Sequence, residues 1–465
     1  MSILKAGAAQ VDITPERGIQ LAGDIGRYRP VEFVLDPIYA KALILESNGC
    51  KLCFLSCDLA CIATEWVNKI RRLASERFGL KPEAIMIHAV QNHAAPSIGH
   101  IMVSNECKLI PPELPWLRGG DDRYNSFALE RILEAIRLAN ENLEPAWIGV
   151  ASGIEGRVAF NRRFVMRNGR VQTHPRAGDP NILYAEGPID PELGVVCIVA
   201  ENARVLAMLL YYTCHPTHGY PNRYVTADWP GVWSNGVKGI FGEKCTPLVF
   251  NGCCGNIHHM NHLDPSYVDD QNRMGRLLTE TTVNIVKRID NYRNDVVLDF
   301  RTTHIKIPLR EISSDELEKA RQLLDKHPEP LWIDDARTRV DWDWMYAVSL
   351  LDLYEQRQHD PEFDYEIQVL RVGNIAFVSL MGEPFVEGQL AIKLQSPTYP
   401  TYVVHNCNGS AGYIPTKHAF QRGGYETRTS NWSNLAPEAL DIIVNESVEL
   451  LREVFRDKLC QQLKY

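Results

Sequence analysis

Histidine is where this sequence concentrates its chemical options. Of its fourteen histidines, His88, His93, His100, His215, His218, His258, His259, His262, His405 and His418 lie in or beside five short polar segments that follow apolar runs. These segments are Gln91-Asn92-His93, Cys214-His215-Pro216-Thr217-His218, Asn251 through His259, Gly382-Glu383-Pro384, and Asn408 through Pro415. Neutral imidazole with carboxylate is the donor set for zinc or a similar divalent ion. The sequence has no HExxH and no close histidine pair on one helix, so spacing alone leaves a metal site and ordinary hydrogen-bonded histidines both open.

Cysteine offers a rival chemistry. A thiolate at Cys253 or Cys254, beside Gly252, could serve as a nucleophile, whereas adjacent cysteines at a strand end also serve simply as packing. Cys50-x-x-Cys53 with Cys57 and Cys61 invites a zinc cluster, but the run KLCFLSCDLACI alternates like a strand entering a core and no second CxxC follows. Twelve cysteines spread over 465 residues, with no export signal, read as reduced and buried thiols in a cytoplasmic protein.

The elements that would position these groups are legible from periodicity. Asn48-Gly49 between two β-rich runs predicts a hairpin, and the 63–78 segment predicts a helix stopped at Gly79. Helices are expected at 126–143, 270–289 and 437–455, with a charged, outlying helical pair at about 314–327 and 335–357. Apolar β-branched runs at 85–90, 195–202, 203–215 and 246–256 predict strands, and Gly373-Asn374 a second hairpin. The expected fold is α/β, with mixed β-sheets flanked by helices and the active site at strand ends. One domain over 1–465 with a helical insertion near 310–360 accounts for the length.

Composition narrows the function. Lys and Arg number 49 against 58 Asp and Glu, a net charge of −9, which argues against a nucleic-acid partner. No stretch approaches the roughly 20 apolar residues of a membrane span. The partner expected is therefore a small-molecule substrate, with homo-oligomerisation left open.

Several short motifs occur together in order: AGAAQVDITP near the start, FNRR (160–163), EGPIDPELGVV (186–196), TCHPTHGY (213–220), TADWPG (226–231), FNGCCGN (250–256), GEPF (382–385) and NGSAGYIPTKHAFQRGGYE (408–426). In this order they resemble the amino-terminal catalytic domain of the neutral/alkaline ceramidases, a family of zinc amidases. The resemblance implies one Zn2+ site. It matches His215 to a zinc histidine, Glu383 to the zinc carboxylate and Tyr413 to the tyrosine completing the site. It also places Tyr425 at the substrate carbonyl or oxyanion and Arg162 near the reacting amide, and gives His93 an acid/base role.

Three departures accompany it. Gln91 stands where the family has its first zinc histidine, so either Gln91 supplies a weaker oxygen ligand or His93 moves into the vacancy. Gly252 occupies the place of the family's serine nucleophile, which leaves metal-activated water as the attacking group. The longer ceramidases' carboxy-terminal β-domain is lacking. Asp228 could orient His215 or its neighbour, or cap the helix that follows. Gln91, Arg163, Asn251, Asn256 and His258 are the candidate substrate contacts, Arg163 being equally a salt-bridge residue. The sequence thus reads as a zinc-dependent, amidase-like hydrolase of a polar substrate. Glycosidic or ester cleavage on the same scaffold, or a non-catalytic binding protein, remain the alternatives.

Overall fold

The computed structural model describes residues 3–457. Its largest sheet is built from β1 (Lys5–Asp12), β2 (Tyr39–Ser47), β3 (Cys50–Cys57), β4 (Ile85–Ala89), β5 (Glu144–Ile154), β6 (Glu192–Ala200), β7 (Val205–Tyr212) and β8 (Thr246–Asn251), in the order β8-β7-β6-β5-β1-β2-β3-β4. The outer pairs β3/β4 and β7/β8 are parallel, and the pairs between them are antiparallel. A second sheet joins β9 (Leu298–Pro308), β10 (Glu362–Val372), β11 (Ile375–Leu380) and β12 (Thr401–Val404), in which only β11/β12 is parallel. This is the mixed α/β architecture expected from the sequence.

The layering follows from strand periodicity, since successive side chains point to opposite faces. In β2, Leu43 and Leu45 enter the core between the two sheets, where they meet Phe377, Val404 and Leu370. Ala42 and Ile44 face the other way, onto α1 (Thr64–Phe78) and α2 (Asp122–Glu141). The same alternation in β3 sends Cys53 to the helix face and Cys50 to the sheet–sheet face. Those two thiols therefore cannot share an ion, and the eleven described cysteines are all free.

Helix α1 shows how local sequence sets an element. Val67, Ile70, Arg71 and Ala74 recur at helical spacing and are the buried positions. Gly79 ends the helix at φ 68°, its N–H donating to Ser75 O, a conformation that favours glycine. Asn48 and Gly49 both adopt positive φ in the β2–β3 hairpin, as a type I′ turn requires. Helices α3 (Asp228–Phe241) and α4 (Gln271–Val286) cover the β7/β8 side of the large sheet through Trp233, Val237, Met274 and Leu278.

The helical pair α5 (Ser314–Lys326) and α6 (Trp342–His359) does lie between β9 and β10, but it is not outlying. Trp344, Met345 and Val348 of α6 are buried against Val103, Ile110 and Leu117. Tyr346 packs on Trp432 with ring centroids 5.0 Å apart. The second helix begins at Trp342, with Asp341 accepting from the Trp344 N–H, rather than near 335. Helices α7 (Val386–Gln395), α8 (Lys417–Arg422) and α9 (Ala439–Val454) follow, and α9 closes the far face of the smaller sheet through Leu440, Ile443 and Leu451. Among the described residues, no helix is long and apolar enough to cross a membrane.

Candidate active site

A cavity of about 670 Å3 opens where the parallel strand pairs end. Its lining includes Gln91 and His93 after β4, His215, Thr217 and His218 after β7, His258 and His259 after β8, Glu383 after β11, and Tyr413 and Tyr425 after β12. Arg162 joins them because Phe160–Asn161 pairs with Ile257–His258, and the Arg162 N–H donates to Asn256 O. A short parallel bridge of Glu383–Pro384 with Tyr413–Ile414 sets Glu383 directly beside Tyr413.

Two facing atoms in this cavity, an imidazole nitrogen and a carboxylate oxygen, lack partners. His215 Nε2 and Glu383 Oε2 lie 3.3 Å apart, both buried and neither in a hydrogen bond. The other ring nitrogen, His215 Nδ1, is within 2.6 Å of Cys254 O and 3.1 Å of Ile257 O, so it carries the proton and leaves Nε2 as a lone pair. Burial and then the Arg162 charge hold His215 well below the usual imidazole range. Burial raises Glu383, with Arg162 and Gln91 opposing. His93, partly exposed to the cavity, is pushed down to about 3 by desolvation and by the His215 ring, whose centroid is 5.6 Å away. Gly23 packs on His93 so closely that a Cβ there would come within 2.7 Å of Nδ1.

Burying unpartnered polar atoms costs about 1–3 kcal/mol each, so an orphaned imidazole lone pair beside an orphaned carboxylate oxygen fits a divalent cation. Gln91 is set differently. Its Oε1 accepts from the Cys254 thiol at 3.3 Å, so that oxygen is already engaged by the protein.

Arg162 is fixed for a different task. Its Nε donates to Glu426 Oε1 at 3.2 Å and a terminal nitrogen to Gly255 O at 2.6 Å. The guanidinium stands 5.3 Å from the Tyr425 ring centre and 5.5 Å from that of Tyr413. Burial keeps the Tyr425 phenol protonated far beyond neutral pH. Both groups are therefore standing donors into the cavity.

A second cluster adjoins the first. His218 donates from Nδ1 to Asp228 at 2.8 Å, and its Nε2 lies 3.2 Å from Asp269 Oδ1. His259 Nδ1 reaches the same Asp269 oxygen at 2.6 Å. The Met260 N–H donates to His258 Nδ1, so His258 Nε2–H donates to Thr217, and the Thr217 hydroxyl donates in turn to His259 Nε2. His218, His259 and Asp269 have ligand-type atoms close enough together to hold an ion. Yet each contact there is already a hydrogen bond or ion pair, and the His218 and His259 rings stack at 3.5 Å with 15° between planes. Parallel rings direct their lone pairs alongside each other rather than at one point. The orphaned His215–Glu383 pair is the better fit to a metal.

The His218 charge has a measurable consequence. Burial alone would lower its pKa, but the Asp228 and Asp269 carboxylates override this and hold it at about 9. With the folded value above the unfolded one of about 6.5, the stabilisation is full below about pH 6.5 and is lost as pH rises through about 9. The Tm advantage of wild type over His218→Gln is expected to be largest near pH 6 and to shrink toward pH 9.5. Thermal melts across that range check it.

Comparison with known proteins bears on the architecture. No protein-family model and no curated protein matches the chain. Solved structures do match. The neutral ceramidase from Pseudomonas aeruginosa superposes with a TM-score of 0.71 at 16% identity, over 98% of this chain and 75% of that one. A ceramidase complexed with C2 gives a TM-score of 0.70 at 15% identity, over 98% and 76%. The chain has a neutral ceramidase-like fold.

In this ceramidase-like fold, several expected site residues take other places. Asn251, Asn256 and Arg163, expected as substrate contacts, do not line the cavity. Asn251 donates to Cys214 O and Val90 O and accepts from the Cys214 N–H. Asn256 bridges Glu387 and the Val386 N–H. Arg163 is fully buried between Glu186 and Glu426. All three hold the loops in place. Asp228 contacts neither the cavity nor His215; it fixes His218 and the Gly219 N–H, and also accepts from the Trp229 N–H at the start of α3.

Gly252 faces away from the cavity. A Cβ there would run into Thr213 Oγ1 and come within 2.6 Å of Gln389 Oε1, so position 252 could not present a nucleophile in this backbone. Cys253 is fully buried, and burial raises its thiol pKa. Replacing Cys253 with Ala is expected to leave kcat/KM within about twofold, because a protonated thiol outside the cavity touches no reacting atom. Steady-state rates of the variant check this.

Sequence reasoning missed Asp269, Thr217 and Trp432 as lining residues. Asp269 sits in the irregular 259–270 stretch, where no periodicity marks a face. Trp432 enters only because α6 and the chain after α8 fold over the strand ends.

Proposed function

We propose that this protein is a metal-dependent hydrolase of an amide or related acyl bond in a polar substrate, with zinc as the ion. The observation that carries this reading is the pair of unpartnered buried atoms, His215 Nε2 and Glu383 Oε2, in a cavity that also presents His93, Arg162, Tyr413 and Tyr425. His215, Glu383 and Tyr413 would hold the ion, with His93 rather than Gln91 as the remaining candidate because Gln91 Oε1 is committed to Cys254. A bound zinc supplies Lewis-acid polarisation of an acyl oxygen and brings the pKa of its water to about 7.

The chain's own groups account for the rest. Arg162, braced by Glu426 and Gly255, and the protonated Tyr425 donate hydrogen bonds to the acyl oxygen as it gains charge. One such donor is typically worth about 3 kcal/mol of barrier. His93, neutral at pH 7, is suited to take a proton from the attacking water and return it to the leaving nitrogen when it is not itself a ligand. Burial of His215 and Tyr413 limits competing water.

A panel of N-acyl compounds, esters and glycosides, assayed with and without zinc, tests the reading. Zinc-dependent release of an amine from N-acyl compounds is expected. Cleavage of glycosides alone, or zinc-independent turnover, would overturn it.

A further inference from the structure

Asp269 is anchored at one oxygen and free at the other. His218 and His259 both bond to Oδ1, at 3.2 and 2.6 Å, while Oδ2 accepts no hydrogen bond from the described residues. The carboxylate lines the cavity with about a fifth of its side chain exposed. Its histidine contacts outweigh desolvation and keep it ionised well below the usual carboxylate range. Asp269 therefore presents a fixed, charged acceptor toward whatever occupies the cavity. Nearby, His174 lines the same space with Nδ1 engaged by His262 and Nε2 without a hydrogen-bond partner among the described residues.

The rest of the lining narrows what that occupant is. Ile25, Ile101, Met102, Tyr413, Tyr425 and Trp432 form one contiguous apolar and aromatic cluster along the cavity. An occupant with an apolar face matches that cluster, and one that also carries hydroxyls matches Asp269 in the same cavity. Among the described lining residues, Arg162 is the one Lys or Arg, and its charge is taken up by Glu426. His218 is held between two carboxylates. Among the described lining residues no Lys or Arg without a carboxylate partner is left for a substrate carboxylate, and Arg162 is assigned to the acyl oxygen, which disfavours N-acyl amino acids. A histidine and aspartate wall likewise disfavours a long aliphatic leaving group.

Resting on the amide-hydrolase reading above, we infer that Asp269 is a specificity-determining residue that accepts hydrogen bonds from the hydroxyls of a polyhydroxylated amine, so that the substrate class is the N-acylated amino sugars. Cleavage adds water across the C–N bond. As the C–N bond breaks, the acyl carbon keeps the hydroxyl and the nitrogen gains the water's other proton. The carboxylic acid so formed then loses its proton and the amine takes it, so the products are a carboxylate and an ammonium, the latter beside the Asp269 wall.

The test uses the full chain loaded with zinc and compares N-acetylglucosamine, N-acetylgalactosamine, N-acetylcyclohexylamine, an N-acetyl amino acid and an N-acetyl long-chain amine, following amine release. One of the two amino sugars should be the best substrate. Asp269→Asn should raise its KM by about 10- to 100-fold, the worth of a hydrogen bond to a charged acceptor. The same variant should leave KM for N-acetylcyclohexylamine, the ring without hydroxyls, unchanged within about twofold.

Preference for the lipid-like or amino-acid substrate overturns the inference while leaving the amide-hydrolase reading intact. So does an equal effect of Asp269→Asn on both rings. If no N-acyl compound is cleaved, the amide-hydrolase reading fails and the N-acylated substrate class with it, and calorimetry with glucosamine and galactosamine decides the hydroxyl-accepting role of Asp269. Binding lost in Asp269→Asn supports it, and no binding to wild type overturns it. Circular dichroism and melts confirm that the variant is folded.

Discussion

His215→Ala and Glu383→Ala are each expected to reduce kcat/KM to background. The two side chains come from separate strand ends, yet they bring an imidazole lone pair and a carboxylate oxygen to within 3.3 Å of each other in a buried setting. Removing either leaves the proposed ion short of a ligand. Lewis-acid stabilisation is worth several kcal/mol, and each 1.36 kcal/mol is tenfold, so a loss of about 10^3-fold or more follows. The conservative change Glu383→Gln, which keeps the volume and removes the charge, should be nearly as damaging. Steady-state assays on folded variants, with zinc in excess, measure this. A variant retaining more than about a tenth of wild-type rate would contradict the role given to the pair.

The second large effect is on stability. Glu426 is fully buried and pairs with two arginines, Arg162 Nε at 3.2 Å and Arg163 Nη1 at 2.7 Å, while also accepting from the Thr173 hydroxyl at 2.9 Å. Glu426→Ala would leave two guanidiniums in the interior, with Glu186 the one remaining carboxylate partner of Arg163. Breaking a buried ion pair by removing one partner costs about 3–5 kcal/mol, and that is the loss expected in urea unfolding. Because Glu426 also braces Arg162, the surviving folded fraction should show a lower kcat. Glu426→Gln, which keeps some of the hydrogen bonds, should be less destabilising than the alanine variant.

Much of the architecture was readable because it rests on local periodicities. The Asn48-Gly49 turn, the α1 stripe ending at Gly79 and the apolar strands before each polar segment all carry their signal within a few residues. The polar segments expected at strand ends do converge, since Gln91, His93, His215, His258, Glu383 and Tyr413 line one cavity, and Tyr425, which the family resemblance alone singled out, lines it too. What could not be read was the direction of side chains just after the strands. Asn251 and Asn256 sit in the same segment as His258, but the backbone turns them onto neighbouring loops, where buried N–H and C=O groups must be satisfied. Asp228, at φ 53°, points to His218 rather than His215. The α5–α6 pair looked detached from its charge, yet the apolar side of α6 carries Trp344 and Met345 into the interior.

The contrast between the two histidine clusters makes the central claim specific. In one cluster both ring nitrogens of His218 and both of His259 already have protein partners, so neither ring has a lone pair to spare for an ion. The other lacks something, at the two atoms His215 Nε2 and Glu383 Oε2. A crystal of the zinc-soaked protein, with anomalous diffraction recorded above and below the zinc absorption edge, addresses this directly. The account predicts an anomalous peak within bonding distance of His215 Nε2 and Glu383 Oε2, absent in His215→Ala. A peak only between His218, His259 and Asp269, or no peak at either place, would contradict it.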